Sequence, residues 1–240
     1  MLPLVMYLIC MVAPFTLANT EKVIFVTPEA QDFVHDASLD NLLLERLTSA
    51  NFSLRTYVNA TFPTEDAPKG TETWLLLEDL TPNQRHEVRI CWLATQPTSF
   101  WLYTHTMVEV FSDPTLLSAV TDYSNRRRRS ISSAELDEFR SRSDRRAPSS
   151  DRPSTFLFLQ IHAAADYFSL NDDLMKNVPP VHADIILDPY LLNIFPQSLV
   201  PTAVYIVIIA IIGWFVSGWI YSNLIHPLLA EEPKPAKKAE

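Results

Sequence analysis

Residues 80–91 read Leu-Thr-Pro-Asn-Gln-Arg-His-Glu-Val-Arg-Ile-Cys. Pro82 and Asn83 favour a turn, the first through its fixed φ and the second through its tolerance of left-handed backbone. Beyond the turn, Val88 and Ile90 alternate with Glu87, Arg89 and Cys91. That period of two puts one face of a strand in a core and the other in water. The same alternation runs through residues 52–58, with Phe52, Leu54, Thr56 and Val58 set against Ser53, Arg55 and Tyr57. Further strand-like stretches cover 22–26, 73–77, 87–93, 100–110 and 155–163, whereas helical signals are short and 39–47 is the best of them. This pattern predicts a mainly antiparallel β domain. The 240-residue chain has 3 glycines and 18 prolines, so its turns must come from Pro28, Asn83, Pro97 and Asp113-Pro114. The same scarcity of glycine excludes most phosphate-cradling loops.

Leu80-Thr81-Pro82, followed after a short interval by His86, resembles the turn and strand of fibronectin type III-like sandwiches, where Leu-x-Pro leads into a tyrosine corner. Here His86 stands in place of the tyrosine. The expected fold class is mainly β: a luminal antiparallel β-sandwich of fibronectin III or immunoglobulin type over residues 19–182, with one C-terminal transmembrane helix.

The ends of the chain set its topology. Residues 2–17 are almost wholly apolar, which predicts a signal peptide over 1–18 cleaved after Ala18; an uncleaved N-terminal anchor is the alternative, since a basic n-region is missing and Pro14 interrupts the run. Residues 202–225 contain no Asp, Glu, Lys, Arg or His, and as a helix they span about 36 Å, enough for a ~30 Å hydrocarbon core. A GPI-attachment signal would end in its hydrophobic tail, but here residues 226–240 are polar. Lys234, Lys237 and Lys238 follow the span and predict a cytosolic tail, which leaves the residues between the two apolar ends facing the lumen. Lys237 and Lys238 also resemble a dilysine signal that coat retrieval machinery reads to return type I proteins to the endoplasmic reticulum (ER); charge anchoring alone is the alternative.

The luminal assignment suits two glycosylation acceptors, Asn51-Phe52-Ser53 and Asn59-Ala60-Thr61. Cys10 would leave with the signal peptide, so Cys91 is expected to be either buried and inert or bridged to another chain. The net charge is −9, yet nine of the 19 basic residues fall between Arg126 and Arg152. The remainder is distinctly acidic, which argues against nucleic acid as a partner. Residues 124–153 are rich in Ser, Arg and Asp and predict a disordered insertion. Its arginine run at 126–129 is a tolerated surface feature, a protease processing site or a patch for anionic lipid.

The candidates for a catalytic constellation are His35, His86, His105, His162, His182, Asp172 and Asp173. No Gly-x-Ser-x-Gly, His-Glu-x-x-His or Cys-x-x-Cys occurs. The histidines in strand-like stretches are expected to be structural and the aspartates to lie in a solvated turn. No catalytic, cofactor-binding or metal-binding residue is assigned, and no cofactor is expected. Two features point to a binding role instead. Ala210, Gly213 and Ser217 fall at i, i+3 and i+7 of the span, with Gly218 and Ser222 on the adjacent stripe, and small residues at this spacing let a second helix approach closely. Residues 183–201 form an apolar membrane-proximal segment broken by Pro189, Pro196 and Pro201. Its Tyr190, Leu191 and Phe195 are expected to dock on membrane or partner; a sandwich strand followed by a stalk is the alternative.

Two stretches resemble a known family: Asn19-Thr20-Glu21-Lys22-Val23-Ile24-Phe25, and Ala183-Asp184-Ile185-Ile186-Leu187-Asp188-Pro189-Tyr190-Leu191-Leu192-Asn193-Ile194-Phe195-Pro196. With the two apolar ends and the dilysine, they are similar to the accessory, noncatalytic subunit of fungal GPI mannosyltransferase II. The resemblance implies a partner of a multispanning mannosyltransferase catalytic subunit, which adds the second mannose to the GPI-anchor precursor from dolichol-phosphate mannose. It does not account for the arginine-rich insertion. An ER cargo receptor, a translocon-associated type I membrane protein and a luminal glycan-processing enzyme are the rival classes. A cargo receptor of the short type I kind would carry a heptad segment before its span, and none is visible.

Overall fold

A computed structural model describes residues 19–29, 39–144 and 155–226. The signal peptide expected over 1–18, His35, Lys237 and Lys238 lie outside the described residues. The chain divides into two units, one up to Asn193 and one from Ile194 onward.

The first unit is mainly β with two sheets. One sheet has the order β1-β5-β8-β3, built from Thr20–Val26, Arg85–Trp92, Val181–Leu191 and Ser53–Val58, and every neighbouring pair is antiparallel. The other has the order β2-β4-β7-β6, built from Glu45–Thr48, Thr71–Leu80, Thr155–Ala165 and Thr98–His105. Its β2–β4 pair is parallel, while β4–β7 and β7–β6 are antiparallel, so the unit is mainly antiparallel as expected. Leu47, Leu75, Leu77, Leu159 and Ile161 of this sheet pack with Val88, Ile90, Ile185 and Leu187 of the first in one buried cluster. Each such side chain, fully removed from water, contributes about 1.5–3 kcal/mol.

A third layer covers part of the second sheet's other face. Helices α1 (Met107–Ser112) and α2 (Pro114–Ser130) lay Val110 and Val120 on Trp74, Leu76 and Phe158, forming a second cluster. Consequently β4 and β7 are buried on both faces. That is why Trp74-Leu75-Leu76-Leu77 and Phe156-Leu157-Phe158-Leu159 read as continuous apolar runs and not as alternations. Trp74 and Phe158 meet edge to face at 6.4 Å.

Four expectations require correction. Residues 39–47 form one turn of tight helix, Leu39–Leu42, and then β2, because Leu43 takes a positive φ of 54° and turns the chain into the sheet. The strand expected over 100–110 stops at His105, where a capping box starts α1. The Thr106 hydroxyl accepts from Glu109 N at 3.2 Å, and Glu109 Oε2 accepts from Thr106 N at 2.7 Å. The disordered insertion expected over 124–153 is helical through residue 144, in α2 and α3 (Ser133–Asp144). Asp113 caps α2, accepting from Thr115 N at 2.8 Å, and Pro114 suits its first turn. Arg127, Arg128 and Arg129 fall in the last turn of α2, where positive charge opposes the negative end of the helix dipole. Finally, the first half of the supposed surface segment 183–201 is β8, a strand flanked on both sides, whose Ala183, Ile185 and Leu187 are at most 1% exposed.

Gly70, with φ of 72°, leads into β4 so close to β7 that a Cβ there would meet Ala163 O at 2.2 Å. Only glycine fits both constraints. His86 takes up the corner position inside the unit at 1% exposure. Its Nδ1 lies 3.1 Å from Gln84 O and 2.9 Å from the Thr27 hydroxyl, and its ring stacks on Phe25 at 5.8 Å. A carbonyl only accepts, so Nδ1 carries the proton, and burial pushes the pKa of the ring down.

The first unit also holds the short helix α4 (Asp172–Lys176), and the second unit holds α5, Val200–Ile220, continued by a wider turn over Tyr221–Ile225. Gln197–Asn223 is an apolar helical stretch of 27 residues that contains an 18-residue window of mean hydropathy 2.5, and it is long enough to cross a membrane. It matches the span expected over 202–225.

Candidate functional site

The titratable candidates serve the fold. His105 Nε2 is 3.0 Å from Gln160 Oε1, beside the Trp74 ring. His162 faces Tyr103 edge on at 5.9 Å, and burial pushes its pKa down. His182 packs on Tyr57 at 5.1 Å. Asp172 and Asp173 occupy the first turn of α4, where the Asn171 side chain accepts from Asp173 N at 3.0 Å. Among the described residues, no group of three or more His, Cys, Asp or Glu is arranged to hold a metal ion. Cys91 is half-buried and accepts from the Thr20 hydroxyl at 3.4 Å.

The end of β8 builds a rigid turn. Tyr190 is buried at 7% exposure, its hydroxyl 3.3 Å from Glu87 Oε2, with the Arg85 guanidinium 5.7 Å from its ring centre. Burial, and then the Glu87 carboxylate, push its phenol pKa up. Tyr190 is therefore part of the first unit's packing and not a freely exposed docking side chain, because it projects onto the Glu87–Asp188 row of the first sheet. Glu87 and Asp188 face each other across β5 and β8, each no more than 4% exposed, with Arg89 Nη1 3.9 Å from both carboxylates. Lys22 Nζ adds an ion pair to Glu87 at 3.2 Å.

The next residues differ. Leu191 is 44% exposed and Leu192 is 83% exposed. Leu192 and Asn193 both have positive φ, 52° and 59°. A leucine in this region costs roughly 1–2 kcal/mol relative to right-handed backbone. Asn193 holds it there: its Oδ1 accepts from Arg85 N at 2.8 Å and its Nδ2 donates to Asn83 O at 3.1 Å. Gln84 Nε2 also donates to Tyr190 O at 3.0 Å. The turn thus presents two leucines to solvent on a fixed frame. Leu192 carries the most exposed apolar side chain of the turn and was not among the residues singled out from the sequence. Phe195, in the second unit, is half-buried.

On α5, Ala210, Gly213 and Ser217 are exposed, and a Cβ at Gly213 would meet nothing within 4 Å. Asn51 and Asn59 are exposed, as glycan acceptors require.

A cavity of about 530 Å³ lies between β3, β4 and the α2–α3 layer. Leu54, Leu75 and Ile131 supply its apolar surface, and Glu45, Glu72 and Glu135 its carboxylates. Arg127 lines it, pairs with Glu45, lies 5.8 Å from the Phe139 ring centre and leaves its buried Nε without a hydrogen bond. Asn59 stands on its lining as well. No sequence motif announces this cavity, since its walls come from segments up to 94 residues apart, Glu45 to Phe139.

Two packed sheets, a covering helical layer and one C-terminal helix of membrane-crossing length define the class: a β protein with, among the described residues, one candidate membrane anchor. Within that class, a family model described as GPI-mannosyltransferase II co-activator, Pga1, matches residues 8–218, and the chain belongs to this family. No curated protein and no solved structure matches the chain. Family membership carries an accessory role in GPI-anchor biosynthesis, co-activation of a mannosyltransferase.

Proposed function

We propose that this chain is a noncatalytic ER membrane subunit that stabilises or positions the multispanning mannosyltransferase adding the second mannose to the GPI-anchor precursor. The observation that carries this reading is the family match over residues 8–218. In this reading the β unit is luminal and the tail after α5 cytosolic. Two surfaces engage the enzyme. Ala210, Gly213 and Ser217 on α5 admit a partner helix, because small side chains bring backbones into van der Waals contact. Leu191 and Leu192, on the turn shortly before the span in the chain, rest on the enzyme at the membrane surface. Binding there loses little conformational entropy, since the turn is already fixed by Asn193, Gln84 and Arg85.

Affinity isolation of the full chain in mild detergent tests the association. The mannosyltransferase should copurify with the wild type and be reduced by Gly213→Leu with Ser217→Leu, or by Leu191→Ser with Leu192→Ser. Equal recovery with both pairs of changes would place the docking elsewhere on the chain.

A further inference from the structure

We infer that the cavity between β3, β4 and the α2–α3 layer is the seat of the innermost N-acetylglucosamine residues of a glycan carried by Asn59, which thereby fastens the helical layer to the sheets. The inference rests on the luminal reading given above.

Three observations carry it. The acceptor Asn59 of Asn59-Ala60-Thr61 is itself exposed and lines the cavity, so a glycan attached there is held at the cavity mouth at high effective concentration. The cavity's volume, about 530 Å³, falls within the range of sites that enclose small ligands. Its lining is mixed in the way an acetamido sugar requires. Leu54, Leu75 and Ile131 suit the acetyl methyl group, while Thr56, Thr73 and Ser130 suit the ring hydroxyls. Tyr57, 70% exposed at the rim, offers an aromatic face to the apolar side of a pyranose ring. The buried Arg127 Nε is a donor still lacking an acceptor among the described residues, and a sugar hydroxyl or acetyl oxygen supplies one.

Asn51 provides an internal control. It is an acceptor sequence in the same unit, is also exposed, and does not line the cavity. A glycan there should behave as a solvated appendage.

The test uses the full glycosylated chain in detergent micelles, with site occupancy measured by mass spectrometry and amide hydrogen exchange followed across residues 123–139. Enzymatic removal of the whole glycan from the folded protein should speed exchange in that segment at least threefold, and trimming to a single N-acetylglucosamine should preserve most of the protection. Asn59→Gln should reproduce the full loss and Asn51→Gln should not. Tyr57→Ala should weaken protection while leaving Asn59 occupied. If Asn51 carries a glycan and Asn59 does not, or if removal of the Asn59 glycan leaves exchange unchanged, the inference is overturned and the luminal reading survives. If neither asparagine is glycosylated, both fall.

Discussion

Tyr190 and Glu87 meet across β8 and β5 with the phenol oxygen 3.3 Å from the carboxylate, while the next residue but one, Leu192, stands 83% exposed. Buried anchor and exposed leucine are thus two residues apart, and substitutions separate their roles. Tyr190→Ser should destabilise the β unit by about 3 kcal/mol through the lost aromatic packing. Leu192→Ser should change stability by no more than about 0.5 kcal/mol, as surface substitutions do. Urea denaturation of the two variants checks the contrast.

Leu192→Gly gives a sharper result. Glycine takes positive φ without a steric penalty, so the β unit should gain about 1 kcal/mol while the complex with the mannosyltransferase weakens. A midpoint shift in denaturant, measured beside copurification yield, should move in the two opposite directions.

Gly70→Ala should incur the backbone strain that Leu192→Gly relieves and add a steric clash. It places a side chain at φ of 72° and drives a Cβ to 2.2 Å from Ala163 O. The combined strain and overpacking should remove roughly 2–5 kcal/mol, visible as a large fall in thermal midpoint.

His86 should make the β unit sensitive to acid. Burial lowers its pKa below the ordinary value near 6.5. The unfolded chain therefore binds the proton first, and the stability present above pH about 6.5 is lost as pH falls through the lower folded value. His86→Gln, which cannot titrate, should flatten the stability profile between pH 7 and 5, although its baseline stability should be lower. Denaturation midpoints at a series of pH values decide it.

The two sheets were legible where one face of a strand is polar. Val88 and Ile90 alternate with Glu87 and Arg89, and Leu54 and Thr56 alternate with Arg55 and Tyr57, because β5 and β3 have only one neighbour layer. Trp74–Leu77 could be read as a strand but not as the middle of three layers, since continuous apolar runs do not say what covers the second face. The covering helices were missed for local reasons. Thr106 and Glu109 spell a capping box directly after β6, and the inward residues of α2–α3 are few: Val120, Ser124 and Phe139 are buried amid arginines and serines that resemble a loop. Tyr190 was misplaced because Pro189 suggested a break, whereas β8 continues through it to Leu191. The exposed Leu192 and the cavity depend on backbone geometry and on contacts between distant segments, which no local pattern encodes.

The most direct test of the account is the lipid profile of cells lacking this chain. Labelling of GPI precursors should show accumulation of the species bearing one mannose, with N-glycan assembly unaffected, and re-expression of the wild-type chain should clear it. A normal precursor profile, or defective export of cargo with intact GPI synthesis, would contradict the proposal that this chain supports addition of the second mannose.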